Sequence, residues 1–521
     1  MDKKRSILNV SVSIGYKLIL MVFTVIVRRV LIQYLGNEIN GLNSLYLSII
    51  GFLSVAELGI GTAITFAMYK PIIEKRFDEV AALYQLFRKS YLIIGGIIFL
   101  AGLGVMPALP YLTKGYESEQ VNLYFTFLVM LVAVVLSYTF SAKISLINAY
   151  KDDYISTLIT SSCMLLQYVL QIAVLIITSS FVGFLACQIV VTLIQWMVMN
   201  IVTKKKHGDI LAYKKQTLSS EAKSQVSKNI RALFIHRIGG ILTNSADSLV
   251  ISALIGVTML GKFANYTTIS ISLTGILVLM FSPLTSVIGH MCVSEMDEAK
   301  NYFKFFHSLN YIVGTVFFLG YYSIIDNLIQ ILFGAGLELS KSISFVITLN
   351  YFIQFLRQAT LLFKDATGTF YNDRWKPFFE GTLNVILSIS LVLIFGELFG
   401  DDVGVVGVIV ATIITNLTIC HVVEPYVLFK HAFRQSPKKY WARNYLYIAG
   451  FICALFAMSF CSQSYDNVWL ELLVNGSISV AVSAALIALV SLISKEFRTH
   501  VFTILKKAGS LGKIIKGKFG A

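Results

Sequence analysis

The chain has 521 residues, 56% of them hydrophobic and 14% charged, with a mean hydropathy of +0.75 and a formal net charge of +15. Soluble globular chains carry roughly 25% charged residues, and a water-soluble fold of this size has too little interior to hide so much apolar side chain. A soluble enzyme, a disordered chain and a secreted disulfide scaffold are therefore excluded, and an all-α integral membrane protein is expected.

A membrane helix needs about 20 mainly apolar residues. On that length the sequence predicts about 14 transmembrane helices: 7–34, 41–69, 90–110, 121–147, 155–178, 181–203, 231–255, 262–290, 306–333, 343–367, 377–397, 403–428, 444–462 and 471–494. The short gaps leave no room for a separate soluble domain. The alternating segments of roughly ten residues that mark a β-barrel are missing. Met1–Arg5 opens with Lys3, Lys4 and Arg5 and leads into a long apolar stretch without a small-residue cleavage site, so it reads as an uncleaved first span.

Lysine and arginine set the orientation. With the N-terminus inside, 33 of the 43 basic residues fall on inner segments, 3 (Lys114, Lys262 and Lys341) on outer loops and 7 within spans. Both termini are expected in the cytoplasm, in a multi-pass protein of the cell membrane. Basic segments held at an anionic inner leaflet account for the net charge with no nucleic-acid partner.

An offset of 220 residues superposes one half of the chain on the other. Gly36 and Gly41 fall on Gly256 and Gly261, and Tyr46 falls on Tyr266. Lys17, Thr24 and Arg28 fall on Arg237, Asn244 and Ser248. Such repeats are common in transporters. Six spans per half preserve orientation, which predicts two six-helix bundles related by a pseudo-two-fold along the membrane normal, with a cavity between them. The expected organisation is an N-terminal bundle (1–203), a basic cytoplasmic linker (204–230), a second bundle (231–428), two extra helices (429–494) and a basic cytoplasmic tail (495–521).

Charged groups inside a membrane usually face a bundle interior or water. Thr24 and Arg28 follow Lys17 by seven and eleven residues, which at about 100° per residue brings both within about 20° of the same line. Arg29 lies about 120° away by the same period. Span 7 repeats the stripe with Arg237 and Asn244, next to His236. Span 10 carries Asn350, Gln354, Arg357 and Lys364 in a narrow sector. Lys17, Arg28, Arg29, His236, Arg237, Asn244, Gln354 and Arg357 form the expected substrate-binding set. Snorkelling to the surface is the competing reading for Arg28, Arg29 and Arg237, and the favoured one for Lys143 and Lys364. The acids within spans include Glu57, Asp247, Asp326, Asp365 and Glu424. Glu57 and Asp247 suit either pairing with a cation or coupling to a proton or sodium ion.

The six cysteines form no CxxC pair, and His236, His290 and His421 lie far apart, so no metal site is expected. There is no Walker A motif, nucleotide loop or catalytic triad. No cofactor is implied, and the protein is expected not to be an enzyme. Transport work would draw on an ion gradient, the membrane potential or the substrate gradient.

With these features the chain resembles the Wzx-type flippases for lipid-linked oligosaccharides, in the MOP superfamily with MurJ-like lipid II flippases and MATE drug exporters. The resemblance covers nearly the whole chain. It rests on the spans, the two halves, the LeuGlyAsnGluIleAsnGly turn (35–41), the GluLeuGlyIleGly segment (57–61) and the repeated first-helix pattern. It implies a V-shaped pair of bundles with alternating access, and a cavity faced by Lys17, Arg28, Arg29 and Arg237. The implied cargo is an undecaprenyl-pyrophosphate-linked oligosaccharide repeat unit, moved for cell-surface polysaccharide biosynthesis. Membrane lipids, a polysaccharide polymerase and glycosyltransferases are the implied partners. The alternatives are a MATE-like cation-coupled drug antiporter, a MurJ-like lipid II flippase and a non-transporting scaffold.

Overall fold

The computed structural model describes residues 3–57, 60–116, 121–213, 245–281 and 284–506. Within them the chain is helical, with no strand. The helices are α1 (Lys3–Leu53), α2 (Ile60–Ile73), α3 (Phe77–Leu112), α4 (Leu123–Ala149), α5 (Asp153–Thr178), α6 (Phe181–Ala212), α7 (Ser245–Ile255) and α8 (Val257–Phe281). They continue with α9 (Leu284–Ser294), α10 (Met296–Phe333), α11 (Lys341–Leu356), α12 (Gln358–Thr367), α13 (Lys376–Phe399), α14 (Val403–Phe433), α15 (Lys438–Cys461), α16 (Val468–Ile493) and α17 (495–506).

Among the described residues, ten helices are long and apolar enough to cross a membrane. The expectation of about fourteen counted apolar stretches. Several of these are split or joined in the backbone, because apolarity does not require an unbroken helix. Spans 1 and 2 run together in α1, interrupted only at Gly36, and span 2 then breaks before α2. Span 10 is cut into α11 and α12 at Arg357. Polar side chains close the exposed first turns of several helices: Asn122 accepts from the Phe125 amide, Ser180 from Gly183, and Asn467 from Trp469 and Leu470. In eight of the ten spans no more than 39% of the most apolar window is buried inside the protein. Side chains such as Ile177 (80% exposed) and Phe460 (86%) need lipid as their solvent. The chain is a multi-pass membrane protein.

By contact the chain divides into two units, one of Met1–Thr268 with Pro377–Val405 and one of Ile269–Lys376 with Val406–Ala521. In the first, α1 packs on α5, α4 on α6 and α3, and α5 on α6. Part of its core is a cluster of Phe140, Ile147, Ile159, Cys163, Val191 and Met199. In the second, α10 packs on α11 and α16, and α9 on α12. Its core is aromatic: Phe352 stacks on Phe451 with centroids 3.6 Å apart, and Tyr311 on Tyr447 at 4.0 Å.

The glycines of the sequence repeat meet in the first unit. Gly36 (φ 85°) and Gly256 (φ 148°) both occupy positive φ, where a side chain is strained. Five residues after each, Gly41 and Gly261 let the second limb of α1 cross α8 backbone to backbone. A Cβ on Gly41 would lie 2.0 Å from the Val257 carbonyl oxygen, and one on Gly261 would lie 2.4 Å from that of Asn37. Asn37 donates to the Thr258 carbonyl (2.8 Å), and Asn40 donates to the Gly261 carbonyl and to Asn265 Oδ1 (both 3.1 Å). Tyr46 and Tyr266 are fully buried beside this crossing. Gly41→Val forces the backbones apart and is expected to lower the melting temperature of the purified protein by about 5 °C or more. Gly96→Ala, with nothing within 4 Å of the new methyl, is the matched control and leaves the melting temperature unchanged.

Candidate functional site

Three polar groupings lie within the helices. The first follows the predicted stripe of α1. Thr24 is bound to α5, its hydroxyl donating to the Leu20 carbonyl (2.8 Å) and lying 3.1 Å from Tyr168 Oη. Tyr16 reaches Ser162 of the same helix at 2.9 Å. The middle of the stripe is thus used for packing, while its cations are left for other work. Lys17 is exposed and has no hydrogen-bond or ion-pair partner among the described residues. Arg28 is half-buried, and among the described residues its Nη1 meets only a neutral amide oxygen, Asn265 Oδ1, at 3.4 Å. Arg29 is exposed on another face of the helix. His236, Arg237 and Asn244, the corresponding set in span 7, lie outside the described residues, and Asp247 is half-buried on α7.

The second grouping explains the GluLeuGlyIleGly segment. Glu57 accepts hydrogen bonds from two tyrosines, Tyr91 Oη on Oε1 (2.7 Å) and Tyr138 Oη on Oε2 (3.2 Å). A Cβ at Gly61 would lie 2.6 Å from Tyr91 Oη, so this glycine leaves the space through which Tyr91 reaches the carboxylate. Among the described residues no cation pairs with Glu57. Glu57 stands out in the sequence as an intramembrane acid, but its tyrosines come from α3 and α4 and carry no local signal of this role.

The third grouping lies in the second unit, where charges expected to be separate are brought together. Arg357 caps the C-terminus of α11 at the break before α12. Its Nε and Nη2 donate to the two oxygens of Glu424 (3.1 and 2.6 Å), and its Nη1 to Asn416 Oδ1 (2.6 Å). Lys376, at the start of α13, donates to the same Glu424 at 2.7 Å. The Arg357 cation, expected to face cargo, is here met bidentately by a carboxylate. A paired charge of this kind offsets the cost of burial. Gln354 of the same stripe donates to Asn350 (3.1 Å) and does not join the cluster. Lys364 pairs with Asp373. Both Glu424 and Arg357 were visible as intramembrane charges in the sequence. Their pairing was not, because it spans 67 residues.

A buried chain of neutral groups continues from this cluster. His421 Nε2 lies 3.1 Å from the Ile353 carbonyl oxygen, which only accepts, so Nε2 carries the proton. Nδ1 then accepts from Asn444 Nδ2 (2.9 Å), and Asn444 Oδ1 accepts from His307 Nε2 (3.2 Å). Asn444 thereby fixes both imidazoles in one tautomer. Neither histidine approaches a third ligand, and no group of three or more metal-ligating side chains occurs among the described residues.

In fold the chain is similar to a group of membrane transporters. The lipid II flippase MurJ, in an inward closed conformation, superposes with a TM-score of 0.62 at 16% identity, over 93% of this chain and 99% of that one. A multidrug resistance MATE family transporter of the MOP superfamily, in an inward-facing conformation, gives 0.53 at 14% identity, over 79% and 98%. The MATE transporter VcmN of Vibrio cholerae gives 0.52 at 13% identity, over 82% and 97%. No protein-family model matches the chain, and no curated protein is similar to it in sequence. The architecture is that of the MurJ and MATE transporters.

Asn444→Leu removes both hydrogen bonds from the histidine chain and leaves His421 Nδ1 and His307 Nε2 buried without partners. The expected cost is about 2–4 kcal/mol, read as a lowered midpoint in thermal or denaturant unfolding of the purified protein. Asn444→Gln keeps both functions and recovers part of the loss.

Proposed function

We propose that the protein is a flippase, not an enzyme, which moves undecaprenyl-pyrophosphate-linked oligosaccharide repeat units across the cytoplasmic membrane by alternating access. The observation that carries this reading is the pair of cations on α1. Lys17 and Arg28 lie on one line of a membrane helix, and neither meets a carboxylate among the described residues. A guanidinium partly withdrawn from water is costly unless an anion compensates it. A pyrophosphate supplies that anion, with the Arg fork binding its oxygens in pairs and Lys acting as a point charge. The sugars would use neutral groups, and the polyprenyl tail would stay in the bilayer. The cost of drawing a charged head group through hydrocarbon is what such a protein removes. Arg29 and the corresponding residues His236, Arg237 and Asn244 would complete the cation-rich path. The product would pass to a polysaccharide polymerase after glycosyltransferases had built it on the inner leaflet.

Glu57 supports coupling to an ion gradient. A carboxylate held by two tyrosine hydroxyls and, among the described residues, no cation is suited to take up a proton or a sodium ion. Asp247 is the second candidate for that role. A MurJ-like flippase for lipid II is a second reading, favoured by the fold likeness to MurJ. Its cargo has the same pyrophosphate linkage, so the α1 cations would serve it equally. A MATE-like drug antiporter would carry cations, which Lys17 and Arg28 would repel.

Lys17→Glu and Arg28→Glu are each expected to slow appearance of the labelled lipid-linked oligosaccharide on the outer leaflet by about tenfold or more, with normal membrane insertion. Lys17→Arg retains most of the rate. Normal flipping in both charge reversals would remove the basis for an anionic cargo. Accumulation of lipid II, rather than another glycan precursor, on the inner leaflet after depletion would select the second reading.

A further inference from the structure

Glu424 stands where an anionic ligand would stand. The Arg357 fork meets its two oxygens side by side, and Lys376 approaches one of them from another helix. A guanidinium edge plus an ammonium group around paired oxygens is also the donor set that suits a phosphate. The two sides of the cluster are not equally closed. The Glu424 side chain is 2% exposed and Lys376 7%, whereas Arg357 is 15% exposed. Both cations come from the ends of elements, Arg357 from the α11–α12 break and Lys376 from the start of α13. Such positions move at lower cost than the middle of a helix. Lys376 also belongs to a segment whose basic residues predict a cytoplasmic location, the side on which a lipid-linked precursor would arrive.

We infer that Arg357 and Lys376 form a second anion site, which Glu424 fills when no cargo is present. A phosphate group entering this site displaces the Glu424 carboxylate, and Glu424 takes up one proton from solvent as its cations turn to the phosphate. A carboxylate left beside a phosphate in a low-dielectric site faces like charge without compensation, and protonation relieves it. Three neighbouring titratable groups are committed elsewhere. Lys364 is paired with Asp373, His421 is bound by the Ile353 carbonyl and Asn444, and the Tyr440 hydroxyl meets Thr360 at 3.0 Å. Asn416, which accepts from Arg357 Nη1, is neutral. The inference rests on the anionic-cargo reading and deepens it, since it ties binding of the head group to uptake of a proton.

The test uses the purified full-length protein and inorganic pyrophosphate, with binding followed calorimetrically in two buffers of different ionisation enthalpy. Glu424→Gln is expected to bind pyrophosphate about tenfold more tightly than the unaltered protein, because the internal competitor has lost its charge. The unaltered protein should take up about one more proton per bound ion than Glu424→Gln does. Adding Arg357→Gln or Lys376→Gln to Glu424→Gln should abolish the gain. Equal affinity and equal proton uptake in the two proteins would overturn the inference. If Glu424→Gln fails to fold, Glu424→Asp replaces it: its carboxylate is withdrawn by one methylene, and an affinity no higher than that of the unaltered protein counts against the site. Failure here leaves the flipping assay of Lys17→Glu and Arg28→Glu untouched. Normal flipping in those variants overturns the cargo reading whatever pyrophosphate does at Glu424.

Discussion

A charge within hydrocarbon must be met by an opposite charge, by water or by a ligand, and this constraint divides the polar groups of the structure. In the second unit it is met internally: Glu424 draws Arg357 and Lys376 to itself, and Asp373 holds Lys364. For Lys17 and Arg28 of α1 no carboxylate meets it among the described residues: Arg28 reaches the amide oxygen of Asn265, and Lys17 stands exposed. Charges satisfied within the protein hold helices together in the absence of cargo, whereas a cation with no carboxylate is kept for something that arrives from outside.

The two groups of charges are set in different kinds of backbone. The α1 cations lie in continuous helix, where rigid spacing keeps Lys17 and Arg28 in line. The Arg357 cluster is assembled from a helix break, a helix start and a helix with wide turns. Irregular backbone at membrane depth is tolerated where protein groups satisfy it. Here the satisfied groups are themselves ionic, so packing and charge are adjusted together. The glycine crossing of α1 and α8 is the opposite case: it is made of main chain, and only the absence of side chains allows it.

Much of this was legible in one dimension. Apolar runs of membrane length gave the helical class. The matched glycines of the repeat correspond to a shared backbone conformation, with Gly36 and Gly256 both at positive φ. Helical phase put Lys17, Thr24 and Arg28 on one line, although the structure uses Thr24 to bind α5. Pairing across helices was not legible. Nothing local in the sequence says that Glu424 rather than cargo meets Arg357, or that Tyr91 and Tyr138 converge on Glu57, because these contacts are fixed by packing between distant segments. The break at Arg357 was also hidden, since the polar residues around it (Asn350, Gln354, Arg357 and Lys364) read equally as one polar face of an unbroken span.

The wide turns of α14 carry a consequence for its length. Asn416–Cys420 and Phe429–Phe433 are π-helical, so each holds one residue more than an α-turn would, and Glu424 sits on the regular segment between them. Deleting one residue from the first wide turn would close it to ordinary α-geometry and leave the following segment in phase, whereas the same loss from a regular stretch of helix would swing everything after it by about 100°. The first wide turn is therefore a place in this span where one residue can be lost with the carboxylate still facing its two cations.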